Sequence, residues 1–283
     1  MRLILLTTLT MCAFAANSIL TRLGVAGGET DPISFAIFRL LAGAIVLAVM
    51  VTLRKRHLPL RAPGRTIGVL SLAAYMIGFS LSYITLDAGL GALILFGTVQ
   101  ISMFGWTALR HRRPAPRQLA GAAIAFAGLL LALWPNESAN TGPIGAALMI
   151  AAGIGWAAYT ISGRGASDPL GATAANFVLC LPVVALVMLW TPLRFDTTGL
   201  LLAIASGAIT SGLGYALWYR VLPRLLAETA AVVQLSVPII AILAGGVLLG
   251  EALTPPLLLA AALVIGGIAL AVTSQSSPAD RKA

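Results

Sequence analysis

Two nine-residue segments carry side chains that could bind a small molecule. The first reads FAANSILTR and covers residues 14–22, and the second reads WAAYTISGR and covers residues 156–164. Each has an aromatic residue, two alanines, a polar residue, a hydroxyl residue and a final arginine in the same order. Aromatic rings and neutral hydrogen-bonding groups bind and orient a solute. Because both segments lie inside long apolar runs, we expect them to face a substrate path through a membrane.

Other apolar segments carry similar groups at helical spacing. The predicted lining residues are Phe14, Asn17, Tyr75, Phe79, Tyr83, Gln100, Trp156, Tyr159, Tyr215 and Gln234. Polar side chains inside hydrocarbon usually face the interior of a helix bundle or a water-filled cavity. The same side chains can also serve as ordinary packing contacts between helices, so both interpretations stay open.

Three arginines and two prolines are predicted to have structural or gating roles. Arg22 and Arg164 end the two related segments. Arg39 lies inside the second span, about 10 Å from its start at ~1.5 Å per residue. An arginine at that depth snorkels, pairs with a carbonyl or an acid, or contacts an anionic group, and we favour a structural pairing. Pro182 and Pro238 lie inside spans, where proline removes a helix hydrogen bond and permits a kink.

Acidic residues avoid the centres of the apolar segments. Asp87, Glu228 and Glu251 lie at predicted helix ends, and His57 and His111 lie in basic loops. Proton relays in transporters normally use intramembrane Asp, Glu or His. The sequence therefore predicts facilitated transport, driven by the gradient of the substrate itself.

The overall composition is that of a membrane protein. Of 283 residues, 59% are hydrophobic and 10% are charged, and the mean hydropathy is +0.97. A soluble domain has about 25% charged residues. The net charge of +9 does not indicate nucleic-acid binding, because most lysines and arginines lie in short loops between apolar segments. Cys12 and Cys180 lie within apolar segments and are predicted to be core residues, so neither a disulfide nor a metal site nor a cofactor is expected.

Ten apolar segments are long enough to span a membrane as helices. Their predicted bounds are 3–24, 32–53, 66–86, 88–109, 117–134, 142–162, 169–190, 197–219, 228–250 and 255–273. The first segment resembles a secretory signal, but it stays apolar through Val25 and its motif returns internally, so we predict an uncleaved helix. Most of the 18 lysines and arginines fall on the side that holds both termini, which predicts that both termini are cytoplasmic.

The two halves of the chain repeat one another. Three pairs of segments correspond: Asp31-Pro32 with Asp168-Pro169, 99–102 (VQIS) with 233–236 (VQLS), and 118–133 with 257–272 without a gap. Because each half has an odd number of helices, the halves must enter the membrane from opposite sides. We predict an all-α integral membrane protein of ten transmembrane helices in two inverted five-helix repeats. Their predicted bounds are 1–135 and 142–274, followed by a cytoplasmic tail at 275–283.

Several motifs resemble those of the EamA branch of the drug/metabolite transporter superfamily. They are the paired segments 14–22 and 156–164, FRLLA at 38–42, GYALWY at 214–219, Pro238 and LGEALT at 249–254. The resemblance covers essentially the whole chain and implies export of amino acids, other metabolites or drugs from bacteria. Within that family the chain is similar to amino-acid exporters of the YddG type, which implies a preference for aromatic and other apolar amino acids.

These observations predict an exporter in the bacterial inner membrane that works as a monomer by alternating access around a central cavity. Its expected partners are a small-molecule substrate and the lipid bilayer. An ATP-driven pump, an enzyme and a channel are disfavoured, because the sequence lacks a phosphate-binding loop, the hydrolase signatures and a repeated filter motif. An exporter of another solute or drug, and a structural or lipid-handling membrane protein, stay open as alternatives.

Overall fold

The computed structural model describes residues 1–54, 57–110, 115–134, 142–163, 166–225 and 227–273, which fold as helices joined by short loops. The elements are α1 (Arg2–Val25), α2 (Pro32–Leu53), α3 (Arg65–Ser82), α4 (Ala88–Arg110), α5 (Pro116–Ala132), α6 (Pro143–Ser162), α7 (Pro169–Val187), α8 (Thr197–Arg224), α9 (Ala227–Gln234 and Ser236–Leu249) and α10 (Pro255–Thr273). The predicted all-α fold is confirmed. Within the described ranges, nine helices are long and apolar enough to cross a membrane, and α5, with 17 residues, is at the lower limit of about 17–25 residues.

Aspartate and proline start the second helix of each half. The Asp31 carboxylate accepts hydrogen bonds from the N–H groups of Ile33 (2.9 Å) and Ser34 (3.0 Å) at the start of α2. The Asp168 carboxylate accepts one from the Gly171 N–H (3.2 Å) at the start of α7. These bonds satisfy N–H groups that have no partner within the helix, and the proline that follows has no N–H to satisfy. The paired Asp-Pro motifs therefore start equivalent helices.

Contacts between helices follow the sequence repeat. If α1–α5 are matched in order with α6–α10, the contact of α3 with α6 corresponds to that of α8 with α1, and the contact of α4 with α6 corresponds to that of α9 with α1. Each of these contacts is present. Three further contacts join equivalent helices directly: α2 with α7, α4 with α9 and α5 with α10. The interior is thus built from both halves, so a cavity at its centre has walls from each.

The packing of α5 against α10 shows the opposite orientation of the halves. A Cβ atom added to Gly121 would lie 2.6 Å from the Gly267 carbonyl oxygen, and one added to Gly128 would lie 3.0 Å from the Ala260 oxygen. The partner number falls as the α5 number rises, so the two helices run antiparallel. The gapless alignment pairs Gly128 with Gly267 and Gly121 with Ala260, so exchanging the repeats converts one contact into the other. Small residues allow this close approach in a bilayer, where helix association depends on packing.

Gly267→Ala is expected to destabilise the protein, whereas Gly266→Ala is not. A Cβ atom at position 267 would lie 2.5 Å from the Ala125 backbone nitrogen, but one at position 266 would have no atom within 4 Å. Overpacking of this kind costs about 1–3 kcal/mol, while an unobstructed alanine favours the helix. Thermal unfolding in detergent measures both changes. Equal unfolding temperatures for the two variants would contradict the close α5–α10 contact.

Two helices depart from regular α-helical geometry near the centre of the bundle. In α8, the segment Ser206–Leu213 is a π-helix between the α-helical segments Thr197–Ala205 and Gly214–Val221. In α9, the helix is interrupted at Leu235, between Gln234 and Ser236. Pro238 accounts for this interruption, because it has no N–H to donate to the Gln234 carbonyl. Both departures change which side chains face the interior.

Candidate functional site

A cavity lies near the centre of the bundle. Six helices from both halves form its walls: α1, α3, α4, α6, α8 and α9. The lining residues are Phe14, Asn17, Ser18, Tyr75, Phe79, Leu95, Phe96, Trp156, Thr210, Tyr215 and Gln234. The lining is mostly aromatic and apolar, with a few neutral polar groups.

Most of the residues predicted to line a cavity lie together around this one. The structure places Phe14, Asn17, Tyr75, Phe79, Trp156, Tyr215 and Gln234 in its walls. Tyr83, Gln100 and Tyr159 do not line it. The roles of the seven lining residues in substrate binding are proposals, which are argued below from this geometry.

Trp156 is at the centre of an aromatic cluster on one side of the cavity. Its ring stacks on Tyr215 (centroid distance 5.3 Å, interplanar angle 27°) and on Tyr159 (5.3 Å, 26°). The Tyr75 ring is tilted against it at 4.9 Å, and Phe14 contacts the Tyr215 ring edge-on at 5.8 Å. Ring pairs in these geometries stabilise one another by about 0.5–1.5 kcal/mol beyond area burial. The cluster therefore forms a rigid apolar wall.

Two predicted tyrosines are held behind this wall. The Tyr83 ring packs edge-on against Phe79 at 4.8 Å, and its hydroxyl donates to the Ala88 carbonyl at 3.5 Å. The Tyr159 hydroxyl donates to Thr173 at 3.3 Å, and the Thr173 hydroxyl donates to Tyr219 at 3.1 Å. Both tyrosines thus support residues that line the cavity without lining it themselves.

Next to the stacked rings, Asn17, Tyr75 and Thr210 bring polar groups to the cavity, and Ser206 lies behind them. The Asn17 amide nitrogen donates to the Tyr75 hydroxyl oxygen at 3.2 Å. The Asn17 amide oxygen accepts from the Ser206 hydroxyl at 2.6 Å and lies 3.2 Å from the Thr210 hydroxyl oxygen. These bonds join α1 to α3 of the same half and to α8 of the other half. We call Asn17, Tyr75, Ser206 and Thr210 the polar corner.

Arg39 lies directly behind the polar corner and is completely buried. Its Nη2 donates to the Tyr75 hydroxyl oxygen at 2.9 Å, and its Nε donates to the Ser211 hydroxyl oxygen at 3.3 Å. The guanidinium carbon lies 4.9 Å from the centroid of the Phe79 ring, a cation–π contact. Its Nη1 has no hydrogen-bond partner among the described residues. Of the roles considered for Arg39, snorkelling does not fit an arginine buried this deeply.

Comparisons with known proteins agree with a transport role for such a cavity. A family model described as the EamA-like transporter family matches residues 143–273. An uncharacterized protein of Pseudomonas aeruginosa is 45% identical over 285 residues, covering 99% of this chain and 98% of that protein. An uncharacterized transporter of Archaeoglobus fulgidus is 26% identical over 83% of this chain and 85% of its own length. YwfM, an uncharacterized transporter of Bacillus subtilis, is 26% identical over 85% of this chain and 84% of its own length.

The chain belongs to the EamA-like transporter family. It is therefore a multi-pass membrane transporter and not an enzyme. A crystal structure with 19% sequence identity matches this EamA-like transporter with a TM-score of 0.69, covering 96% of this chain and 98% of that one. At that identity the match shows a common fold.

One end of the transporter is held together by charged groups. The Arg22 Nη1 donates to the carbonyls of Tyr83 (2.8 Å) and Ile84 (3.0 Å), and its Nη2 lies 3.4 Å from the Asp87 carboxylate. The Glu251 carboxylate accepts from the Ala88 (2.6 Å) and Gly89 (3.2 Å) N–H groups at the start of α4. Burial raises the pKa of the Glu251 carboxyl, although these two N–H groups oppose the rise. We call this the Arg22 end. It joins α1 and α4 of one half to the α9–α10 loop of the other.

The opposite end of the transporter has a separate set of contacts. The Arg65 Nη1 donates to the Ala172 carbonyl (2.9 Å) and the Asn176 side-chain oxygen (2.8 Å), and its Nη2 donates to the Pro59 carbonyl (2.6 Å). Arg65 thus joins α3 to α7 of the other half. Each end of the central cavity is therefore crossed by hydrogen bonds between the halves.

Of the remaining predicted gating residues, the structure describes Pro182 and Pro238 but not Arg164. Pro182 lies inside α7, which continues through it from Pro169 to Val187. Pro238 accompanies the interruption of α9, which places Gln234 in the cavity wall. Arg164, the junction between the predicted repeats at 135–142 and the predicted tail lie outside the described residues or at their edge. Their predicted roles and bounds stay predictions.

Several lining residues had no distinctive signal in the sequence. Leu95 and Phe96 line the cavity from α4, but ordinary apolar residues in an apolar helix carry no distinctive signal. Thr210 lines it from the π-helical segment of α8 and was not among the predicted lining residues. One signal was present: Ser-Gly occurs at 206–207 and again at 211–212. A spacing of five residues matches the i to i+5 bonding of a π-helix, which is often found at functional sites.

Proposed function

We propose that this transporter exports amino acids, with aromatic and other apolar ones favoured, across the bacterial inner membrane. The observation that supports this substrate class is the pairing of an aromatic wall around Trp156 with a polar corner around Asn17 in one cavity. An amino acid has the same division, since an apolar side chain is attached to a polar head.

The same geometry supports alternating access. Helices from both inverted repeats form the cavity, and hydrogen bonds between the halves cross it at the Arg22 end and at the Arg65 end. If the contacts at one end break while those at the other hold, the cavity opens to one side at a time. In this mechanism the repeats rock about the central site, and each monomer transports independently.

The charges support facilitated export and an orientation. Among the described residues, the cavity lining contains no carboxylate and no histidine, so a proton-coupling group is missing from its walls. Arg22 and Arg194 lie at one end of the bundle, because the Asp31 N–H beside the α1–α2 turn donates to the Arg194 carbonyl (2.8 Å). We assign this sparsely basic end to the outside, which places both termini in the cytoplasm.

A flux assay on the purified full-length transporter in liposomes tests the proposal. We expect saturable efflux of phenylalanine, tryptophan or leucine that persists when an ionophore collapses the pH gradient. Efflux lost on collapse of the pH gradient alone would contradict the facilitated mechanism. Saturable transport of other solutes or drugs with no amino-acid flux would favour the alternative, an exporter of another solute or drug. Absence of any saturable flux would favour a structural or lipid-handling role.

A further inference from the structure

The hydrogen bonds of Tyr75 leave its hydroxyl proton without an acceptor. A phenolic oxygen accepts at two lone pairs and donates one proton. The Tyr75 oxygen already accepts from Arg39 Nη2 (2.9 Å) and from the Asn17 amide nitrogen (3.2 Å). Its O–H must therefore donate elsewhere, and no acceptor for it lies among the described residues. Because Tyr75 lines the cavity, this proton is available to a bound solute.

Asn17 offers a second donor at the same place. Its amide oxygen accepts from the Ser206 hydroxyl (2.6 Å), which leaves the amide nitrogen on the side of Tyr75. The Thr210 hydroxyl, 3.2 Å from that oxygen, donates its proton to the Ser206 carbonyl (2.7 Å). That nitrogen has two N–H groups, and the bond to Tyr75 uses one of them. The polar corner thus presents an O–H and an N–H group to the cavity, both as donors.

Arg39 adds a positive charge behind these donors. The guanidinium is always protonated in proteins, is fully buried here and has an unpartnered Nη1. Among the described residues, the one ion pair joins Arg22 to Asp87 at the end of the bundle, so no described carboxylate neutralises Arg39. A buried charge without a counter-ion is costly, and an anion placed beyond Tyr75 lowers that cost. Two hydrogen-bond donors backed by a cation are suited to an anion, and they are unsuited to an amine.

We infer that the polar corner is a carboxylate subsite, in which Tyr75 and Asn17 donate to the carboxylate of the solute and Arg39 supplies the charge behind them. The inference rests on the proposed function, since it assigns the head group of the transported molecule. The inference also predicts something that the proposed function does not. An aromatic carboxylate without an amino group should bind the cavity, and its neutral amide should bind weakly.

Two probes of the same shape test the inference with the full-length transporter in detergent. Phenylacetate and phenylacetamide have the same ring and differ in the charge of the head group. Binding is followed by quenching of tryptophan fluorescence, because Trp156 lies in the cavity wall. We expect phenylacetate to bind the wild type at least about tenfold more tightly, as a hydrogen bond to a charged group contributes about 1.5–3 kcal/mol.

Tyr75→Phe removes the donated proton and leaves the ring in place. We expect it to weaken phenylacetate binding about tenfold or more and to change phenylacetamide binding little. Tyr83→Phe is the matched control, since Tyr83 is a buried tyrosine at the end of the same helix that lies outside the cavity. It should keep the wild-type preference. Asn17→Asp, which has nearly the same shape, places a negative charge in the corner and should abolish phenylacetate binding even if Tyr75→Phe does not fold.

Each outcome decides the matter. Equal affinities of the two probes, weakening of both probes by Tyr75→Phe, or failure of the wild type to bind phenylacetate would overturn the carboxylate subsite. A carboxylate preference without amino-acid efflux in liposomes would support the subsite and refute the proposed substrate. Amino-acid efflux without this carboxylate preference would support the proposed substrate and refute the subsite.

Discussion

Gly207→Ala is expected to abolish transport and to lower the unfolding temperature of the transporter strongly. A Cβ atom at position 207 would overlap the carbonyl oxygen of Arg39 and would lie 2.9 Å from the Cβ of Ala42. The atom that it meets first is backbone, so no side-chain rotation relieves the clash. Overpacking in a close-packed interior costs about 1–3 kcal/mol or more. The gain of about 1 kcal/mol from replacing a helical glycine by alanine does not offset that cost.

The functional loss should exceed the loss of stability, because this contact positions Arg39. Gly207 belongs to the π-helical segment of α8, and the same segment supplies Ser211 to Arg39 and Ser206 to Asn17. Moving α8 away from α2 by even a few tenths of an ångström lengthens both bonds. We therefore expect the carboxylate preference to fall even in the protein that remains folded.

The control for this experiment is Gly105→Ala. Gly105 is also inside a helix, but a Cβ atom added there would have no atom within 4 Å. Thermal unfolding in detergent and efflux from liposomes should both be close to wild type for this variant. If Gly207→Ala also behaves like wild type, α8 and α2 are not in backbone contact and the description of the polar corner is wrong.

Much of the fold was predictable because its signals are local or repeat along the chain. The Asp-Pro pairs start α2 and α7 as predicted, since the carboxylate and the missing N–H act within one turn of helix. The aromatic residues of α1, α3 and α6 line the cavity because those helices are regular, so side chains three and four positions apart share a face. Tyr159 shows the limit of this reasoning. It shares a face with Trp156, but its hydroxyl is drawn to Thr173 on α7.

The repeat alone predicted symmetry that the structure does not have. Gln100 and Gln234 occupy equivalent positions, and only Gln234 lines the cavity. The two helices differ at the residue four positions later. The second half has Pro238, and α9 is interrupted at Leu235; the first half has Phe104, and α4 is continuous from Ala88 to Arg110. Sequence spacing could locate the proline, but it could not show how far the helix would turn around it.

The hydrogen-bond partners of Arg39 also could not be predicted from the sequence. Position along α2 identified a buried cation, yet its contacts come from Tyr75 on α3 and from Ser211 on α8. Ser211 is 172 residues away along the chain, and its direction depends on the π-helix. A bond of this kind is a property of tertiary packing, which local patterns do not encode.

Trp156→Ala is expected to lower the transport of aromatic amino acids by about tenfold or more while sparing small ones. The substitution removes the ring that stacks on Tyr215 and Tyr159 and leans on Tyr75. A contact of the Trp156 ring with an aromatic side chain of the substrate would contribute about 0.5–1.5 kcal/mol, and 1.4 kcal/mol corresponds to a factor of ten in affinity. A bound aromatic side chain loses its flat wall, whereas alanine or serine makes little use of it. Competition among labelled amino acids for efflux from liposomes measures the change in selectivity directly.

Trp190→Ala is the matched control, because the Trp190 side chain is 79% exposed just beyond the end of α7 and takes no part in the cavity. A general loss of stability would lower the transport of every solute in proportion, so a change in the ratio of tryptophan to alanine flux separates binding from folding. If that ratio is unchanged in Trp156→Ala, the aromatic wall does not contact the substrate. The apolar part of the solute would then have to lie against other rings of the lining, such as Phe14 and Phe79.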